Sequence, residues 1–499
     1  MLLLLISIPL FGILSILMLN NVKLISSTNN NNFRSKLLKW KYNIKIGQIG
    51  LITSIINLLV ALIIWSGFNS LTSGYQYRLE FSGLGIYQIN LGIDGISLYF
   101  VLLTCLLIPI VILSNWNNIE KSYRTYIIII LLLESLILMV FLVMDLIMFY
   151  IFFESILPPL FILIGIWGGS DLKIRASFHI FLYTFIGSLF MLLSFLTIFF
   201  VTGSFNYEYL ADQNINFNLQ IILWLGIFLS IAVKCPLWPF MTWLPLAHAE
   251  SPLGGSIILA GIILKLALYA VLRILIPILP EASLYFTPFV YLICIITIIY
   301  TSLTCLRQID LKVLVAYSSI GHMGVSMIGA FSNQIEGISG SILLGIGHGF
   351  VSPALFILLG GVLYDRYHTR IINYYRGLTQ YMPIFSFILF LFILANMGTP
   401  LTLNFIGEFL SLKGGFETLA LPTILASSSI ILSASYSIYL YNRITGGIKS
   451  PYLKYQNDLT NRELSILLPL LILTFLTGIF PNIILSDISY NVSNLIYQF

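Results

Sequence analysis

Residues 253–274 read LGGSIILAGIILKLALYAVLRI, an apolar run with one lysine, Lys265, at its middle. About 20 mainly apolar residues are enough for a helix to cross the hydrocarbon core of a bilayer. The whole chain of 499 residues has this character, since 59% of its residues are hydrophobic, 9% are charged and the mean hydropathy is +0.99. A typical soluble domain has roughly a quarter of its residues charged. The chain is therefore predicted to be a polytopic membrane protein.

Apolar segments of sufficient length predict fourteen transmembrane helices. They lie near residues 1–20, 46–66, 94–114, 125–143, 146–167, 176–201, 219–235, 253–274, 284–305, 311–331, 337–363, 384–412, 420–442 and 464–486. Lipid offers no partners for backbone amides, and the sequence lacks the alternating strands of a barrel, so we expect an all-α fold. The first span is expected to be retained, because no charged start or cleavage site of a secretory signal accompanies it.

Lysines and arginines are unevenly divided between the two sides of the membrane. If the N-terminus faces outward, nineteen of the 24 fall on the inner side and three, Arg78, Arg273 and Lys413, fall at outer ends. Inner loops carry the excess of basic residues in membrane proteins. The pattern therefore predicts an outer N-terminus and an even number of spans. It also explains the net charge of +5 without a nucleic acid partner.

Two connections are longer than turns. Residues 21–45 are asparagine-rich and basic, which predicts a solvated inner loop. Residues 75–92 partly alternate and contain Gly83 and Gly85, which favours an outer β-hairpin.

Five charged residues in the predicted spans are candidates for a mid-bilayer position, and Asp145 falls near a span boundary. The five are Glu134, Glu154, Lys234, Lys265 and Glu408. A charge at mid-bilayer costs about 2.5–3.5 kcal/mol on insertion scales, so each must face protein or water. One interpretation is an ion pair that joins two helices, and the sequence around Glu134 indicates nothing more. The other is proton transfer, because a lysine whose acidic partner approaches and withdraws can load and release a proton.

Under proton transfer, Glu154 and Lys234 form a modulating pair, Lys265 is a central relay and Glu408 is a terminal carrier. Two histidines lie between the last two in chain order and can pass a proton between their ring nitrogens. The alternative for these histidines is a hydrogen-bonded structural role. They are His322 and His348.

The seventh and twelfth spans are predicted to be broken beside a charge. Two prolines follow Lys234, and Glu408 is preceded by Gly398 and Pro400. Proline removes an amide donor and bends a helix, and interrupted helices at matching places in two halves indicate inverted repeats. We therefore predict a three-helix N-terminal part with the basic loop and the hairpin, two inverted five-helix repeats and a C-terminal helix. Their residues are 1–123, 124–275, 283–445 and 446–499.

Five stretches resemble the antiporter-like subunits of respiratory complex I, the NADH:ubiquinone oxidoreductase. They read FYIFFESILPPLFILIGIWG at 149–168, KCPLWPFMTWLPLAHAESPLGGSIILAGIILKLALYAVLR at 234–273, DLKVLVAYSSIGHMG at 310–324, GHGFVSPALFILLGGVLYDRYHTR at 347–370 and NFIGEFL at 404–410. The resemblance extends over roughly residues 90–445. It implies a fourteen-helix fold with two inverted repeats, and proton pumping coupled to quinone reduction elsewhere in the complex.

The resemblance also implies roles for individual residues. The family's modulating glutamate falls on Glu154, its paired lysine on Lys234, its central lysine on Lys265, its bridging histidines on His322 and His348, and its terminal acid on Glu408. One member of the family carries glutamate at the terminal position, where related subunits tend to carry lysine. The resemblance assigns no role to Glu134.

We expect no redox cofactor or metal in this chain. The sequence has no GxGxxG or Walker loop, and its four cysteines, Cys105, Cys235, Cys294 and Cys305, lack metal-ligand spacing. The resemblance implies that NADH, flavin, iron–sulfur clusters and ubiquinone bind in partner subunits. It implies membrane-arm partners, including neighbouring antiporter-like chains, and lipid contact. It also implies a multi-pass place in the mitochondrial inner membrane, with the N-terminus on the intermembrane-space side.

Two other functions stay open. The chain could belong to a multisubunit cation/proton antiporter, although Glu408 and the length of the resemblance argue against this. It could also be a purely structural membrane scaffold, in which case loss of Lys265 would alter assembly and leave proton stoichiometry intact.

Overall fold

The computed structural model describes residues 1–19, 33–84, 87–119 and 121–497. In chain order its main helices are α1 Leu2–Met18, α2 Phe33–Ser66, α3 Gly95–Ser114, α4 Tyr123–Leu142, α5 Leu146–Trp167, α6 Lys173–Thr202, α7 Phe217–Lys234, α8 Trp243–Glu250, α9 Leu253–Ile278, α10 Pro280–Arg307, α11 Leu311–Ala330, α12 Ile335–Tyr367, α13 Pro383–Asn396, α14 Leu403–Thr418, α15 Ala420–Thr445, α16 Asn461–Ile479 and α17 Asn482–Tyr497. Within these ranges, twelve helices are long and apolar enough to cross a membrane. The predicted all-α polytopic membrane fold is confirmed, and the number of fourteen spans stays a prediction.

The predicted breaks in the seventh and twelfth spans are confirmed. The first break separates α7, which ends at Lys234, from α8, and the second separates α13 from α14. Gly398 lies in the second break with φ +70°, a backbone conformation that glycine adopts without steric cost. A Cβ on Gly398 would lie 2.8 Å from Glu408 Oε2, so glycine also makes room for that carboxyl group.

The hairpin consists of two antiparallel strands, β1 Gln76–Leu84 and β2 Tyr87–Ile93. Leu79 pairs with Leu91 and Glu80 pairs with Asn90. The turn at residues 85–86, including the predicted Gly85, lies outside the described residues. We call the side of the molecule that carries this hairpin the hairpin side.

Two predicted boundaries differ from the structure. Helix α2 begins at Phe33, inside the predicted basic loop of residues 21–45, and residues 21–32 of that loop lie outside the described part of the chain. The predicted span 464–486 is instead α16 followed by α17. Pro481 disfavours helical backbone in the residue before it, and Phe480 has φ −119° and ψ 68°. The helix therefore stops there and a new one starts.

Helix α17 docks on α2 and α3 through polar contacts. Asp487 Oδ2 accepts hydrogen bonds from Trp65 Nε1 at 3.1 Å and from the Tyr99 hydroxyl at 2.6 Å. Asn491 Nδ2 donates to Asp94 Oδ2 at 3.2 Å. The C-terminal helix is thereby fixed to the N-terminal part of the chain.

Gly95→Ala is expected to weaken this docking. A Cβ at Gly95 would lie 2.1 Å from the backbone oxygen of Asp487, which cannot turn aside as a flexible side chain can. Overpacking of this kind costs about 1–3 kcal/mol. Protease cleavage of α17 should become faster and the thermal midpoint of the complex should fall. Gly169→Ala is the control, since nothing lies within 4 Å of a Cβ there. Equal cleavage rates in the two variants would contradict the prediction.

Candidate functional site

Lys265 lies at the middle of α9 with no exposed surface. Its Nζ donates to the Ala260 carbonyl at 2.6 Å and lies 2.7 Å from His348 Nδ1. The turn before it, Leu259–Ile263, is π-helical. Such a turn departs from the regular backbone bonding of the helix and is frequent at functional sites. A backbone carbonyl and an imidazole thus satisfy this lysine without a carboxylate.

Two histidines continue from Lys265 to Glu408. The rings of His348 and His322 have their centroids 5.7 Å apart. His322 Nδ1 lies 2.8 Å from Glu408 Oε1. Within the described part of the chain, the Nε2 atom of each histidine has no hydrogen-bond partner. The structure thus brings Lys265, His348, His322 and Glu408 together in one buried sequence of contacts, which we call the midplane row.

Glu154 and Lys234 form a buried ion pair. Glu154 Oε1 lies 3.5 Å from Lys234 Nζ, and their side chains are 13% and 3% exposed. Lys234 Nζ donates to the Phe153 carbonyl at 2.7 Å and lies 3.0 Å from the centroid of the Phe153 ring. No described residue donates a hydrogen bond to either oxygen of Glu154. The carboxylate is therefore close enough to attract the lysine, and no hydrogen bond from the described residues fixes its position.

The pair and the midplane row are separate in this structure. No direct polar contact joins Lys234 to Lys265 among the residues described. The pair can therefore influence the midplane row only through the electric field of its charges, or after side chains move into contact.

Two further acids lie elsewhere. Glu134 is fully buried in α4, and its Oε1 accepts from Asn57 Nδ2 of α2 at 2.6 Å. Asp145 lies between α4 and α5 and accepts from the Asn90 amide at 3.3 Å, and burial raises its pKa to about 6. Neither acid contacts the midplane row. Glu134 thus has the character of a helix-joining group, the structural alternative that the sequence left open.

Sequence reasoning missed Lys312, which is one of the nineteen basic residues predicted on the inner side. The structure buries it in the first turn of α11, where its Nζ donates to the Ser251 carbonyl at 2.9 Å. It lines a cavity of about 420 Å³ on the side opposite the hairpin, together with Lys173, Leu253 and Arg370. The sequence did contain one indication that Lys312 is buried, because it is the second residue of the predicted span 311–331.

His248 lies in α8, near the start of α9. It is fully buried and its ring is stacked on Phe356 with the centroids 4.6 Å apart. Neither ring nitrogen has a hydrogen-bond partner in the described ranges. The Ser256 hydroxyl donates to its backbone carbonyl at 3.4 Å. A titratable group thus lies between the cavity and the middle of the molecule.

The described part of the chain contains no cluster of side chains suited to binding a metal ion. No set of three or more His, Cys, Asp or Glu side chains there could hold a metal ion. All four cysteines are buried and free.

Comparisons with known proteins agree on one family. Residues 143–433 match the sequence profile described as "NADH:quinone oxidoreductase/Mrp antiporter, TM". The NADH-ubiquinone oxidoreductase chain 4 of Mycosarcoma maydis is 54% identical, over 90% of this chain and 93% of its own. That of Yarrowia lipolytica is 48% identical, over 93% and 97%. A chain of respiratory complex I from Thermus thermophilus superposes with a TM-score of 0.86 at 27% identity, covering 100% of this chain and 99% of its own.

Proposed function

Since the chain belongs to the NADH:quinone oxidoreductase/Mrp antiporter family and matches relatives named NADH-ubiquinone oxidoreductase chain 4, we propose that it is a proton-translocating membrane-arm subunit of that oxidoreductase. It moves protons across the membrane, coupled to electron transfer from NADH to quinone in partner subunits. The enzyme to which it contributes is an NADH:ubiquinone reductase, and this chain supplies no redox centre of its own.

The observation that carries the proposal is the midplane row. An amine, two imidazoles and a carboxyl group follow one another in buried contact. Each can exist in two protonation states, and the unpartnered Nε2 atoms leave each imidazole a free position at which to take or give a proton. A proton taken up by Lys265 passes to His348, then to His322 and then to Glu408.

Glu154 and Lys234 act on the row by charge. When Glu154 approaches Lys234 it stabilises the ammonium form of that lysine, and when it withdraws, the positive charge is unbalanced and repels a proton on Lys265. The 3.5 Å contact and the unbonded carboxylate support such movement. Interactions of this kind are strong at this depth, because the local dielectric constant is low.

The cavity beside Lys312 supports proton uptake from the side opposite the hairpin. It reaches Ser251 and Leu253, where α9 begins, and His248 lies between this point and the midplane. We place that side inward, because the basic loops lie there, so the N-terminus faces the intermembrane space. The two inverted repeats at 124–275 and 283–445 are part of this proposal. Their support is that the fourth member of each, α7–α8 and α13–α14, is broken beside a charged residue.

The chain is a multi-pass protein of the mitochondrial inner membrane in this proposal. Its partners are other membrane-arm subunits, including neighbouring antiporter-like chains, and lipid. NADH, flavin, iron–sulfur clusters and ubiquinone bind in those other subunits.

His348→Leu tests the proposal, because leucine fills a similar volume and cannot carry a proton. In the intact complex in liposomes, proton output per electron should fall while the complex still assembles. His179→Leu is the matched control, since the His179 ring is stacked on Tyr183, away from the midplane row. Unchanged output per electron in assembled His348→Leu would contradict the proposal.

The family description also includes antiporters, which keeps cation/proton exchange as a second candidate. Exchange requires a cation gradient, so proton output from the complex would change with sodium concentration. We expect the output to be the same with sodium and with an impermeant cation. A strict sodium requirement would favour the antiporter.

A further inference from the structure

Four aromatic side chains form a compact cluster between the midplane and the hairpin side. We call them the aromatic cluster, and they are Phe100 of α3, Phe141 of α4, Phe149 of α5 and Tyr269 of α9. Phe100 and Phe141 are stacked with their centroids 5.4 Å apart, and Tyr269 meets Phe141 edge-on at 5.2 Å. Every member is at most 1% exposed. Four helices thus meet in one buried layer that the proposed relay does not use.

One face of this cluster borders both midplane lysines. The Phe149 ring is stacked on Phe153 at 5.1 Å, and Phe153 is the ring that lies under Lys234 Nζ. A Cβ on Gly345 would lie 3.7 Å from Phe100 and 3.8 Å from Lys265 Cγ, so both side chains border the same position on α12.

The other face borders a polar cavity on the hairpin side. Arg273 Cζ lies 5.8 Å from the centroid of the Tyr269 ring, and Arg273 is ion-paired with Asp94. Both line a cavity of about 250 Å³, together with Tyr75, Tyr207 and other residues at the base of the hairpin. Burial raises the pKa of the Tyr75 and Tyr207 hydroxyl groups well above the usual value, so they hold their protons at neutral pH.

The distance across the cluster is short. Lys265, Tyr269 and Arg273 follow one another four residues apart on α9. Four residues of an α-helix span about 6 Å along its axis, and the π-helical turn Val271–Leu275 makes the second step no longer than that. The Tyr269 hydroxyl donates to the Phe141 carbonyl at 3.2 Å and also interacts with the Arg273 guanidinium at the edge of the cavity. A proton on Lys265 is therefore about two helical turns from the polar cavity, with the aromatic cluster between them, and the Tyr269 hydroxyl lies on the cavity side of that cluster.

We propose that the aromatic cluster is a proton barrier that separates Lys265 from the hairpin-side cavity, so that a proton on Lys265 leaves only through His348. This inference rests on the proposed function. If the gap were wet, a proton driven inward by the membrane gradient would reach Lys265 directly and bypass the row. Three phenylalanine rings and the ring of Tyr269, all buried, offer water few polar partners, since the Tyr269 hydroxyl is bonded to the Phe141 carbonyl and a water needs both space and two or more such partners. The cluster thus makes transfer along the row the shortest route available.

Phe141→Ser tests the barrier. Serine removes most of the ring and adds a hydroxyl group, which gives water both space and a partner. The intact complex is reconstituted in liposomes with a pH-sensitive dye inside, a pH gradient is imposed, and no NADH is added. Passive proton flux should rise several-fold over the wild type. With NADH present, electron transfer should continue while the steady pH gradient falls.

Two controls separate the barrier from general damage. Phe141→Leu also removes the ring but keeps the site apolar, so its flux should stay at the wild-type level. Phe195→Ser places the same change at a fully buried position in α6, outside the cluster, and should also leave the flux unchanged. Phe149→Ser repeats the test from another helix if Phe141→Ser does not assemble. Equal flux in the serine and leucine variants would overturn the barrier.

The test is independent of the relay itself. Passive flux is measured without turnover, so it reports the barrier whether or not the row pumps. Failure of the proposed function would instead appear as normal proton output per electron in His348→Leu. A failed barrier leaves the passive flux of Phe141→Ser and Phe149→Ser at the wild-type value.

Discussion

Lys265→Met is expected to stop proton transfer through this subunit while the complex still assembles. Methionine fills a similar volume and removes the amine that bridges the Ala260 carbonyl and His348. Because this amine begins the midplane row, no other group of the row can replace it. A positioned proton-transfer group contributes roughly a hundredfold or more to a rate. Proton flux through this subunit should fall by about that factor, and the proton output per electron of the complex in liposomes should fall by the share that this subunit contributes.

Lys265→Arg separates proton transfer from a structural positive charge. The guanidinium group keeps the charge and its hydrogen bonds but does not release its proton in proteins. We therefore expect this variant to assemble and to be as poorly coupled as Lys265→Met. A scaffold role makes the opposite prediction, because the charge is retained. Normal proton output per electron in Lys265→Arg would exclude Lys265 as a relay.

Lys413→Met is the matched control for these variants. Lys413 lies in α14, where its side chain is 44% exposed and ion-paired with Glu336. Exposed pairs contribute about 0–1 kcal/mol, so its loss should change neither assembly nor coupling. A similar defect in Lys413→Met would show that any lysine in these helices matters equally.

Much of the fold could be predicted from the sequence, because the physics of the bilayer is local. An apolar run must cross the membrane as a helix, and prolines beside Lys234 must interrupt it. The two C-terminal helices were harder to predict from the sequence. Phe480 and Pro481 lie inside an apolar run, and only their backbone preferences separate α16 from α17.

The sequence identified the residues of the candidate site, but it did not show how they lie relative to one another. The cost of a charge in lipid identified Lys265 and Glu408 as groups that need a buried polar setting. Nothing in the sequence showed that Lys265 would meet His348, which is 83 residues further along the chain. Nor did it show that Lys312, counted as a loop cation, would be buried beside Ser251. Such contacts depend on how helices pack, which hydropathy does not encode.

The aromatic cluster could not be predicted from the sequence either, but for a different reason. Its members come from four helices, and each alone is an ordinary aromatic residue of a membrane span. Sequence reasoning follows charges because charges in lipid are exceptional. A proton path, however, also needs regions where protons cannot go, and those regions are made of residues that carry no signal of their own.

A double-substitution cycle at Glu154 and Lys234 is also expected to change assembly and coupled turnover strongly. Each single variant, Glu154→Gln or Lys234→Met, leaves its partner as an unpaired charge, which costs about 3–5 kcal/mol when the pair is buried. Because Lys234 still contacts the Phe153 carbonyl and ring, Glu154→Gln is expected to be the milder of the two for assembly. Both should lower coupled turnover, measured as NADH-driven quinone reduction together with proton uptake.

The double variant decides between a structural pair and a modulating pair. Carrying Gln at 154 and Met at 234 together, the protein has no unpaired charge, so assembly should recover beyond the sum of the single effects. If the pair only joins two helices, coupling should recover with it. We expect recovery of assembly without recovery of proton output, because the charge that Lys234 presents to Lys265 is still missing. Restored proton output per electron in the double variant would refute the modulating role and leave Glu154 and Lys234 as a structural ion pair.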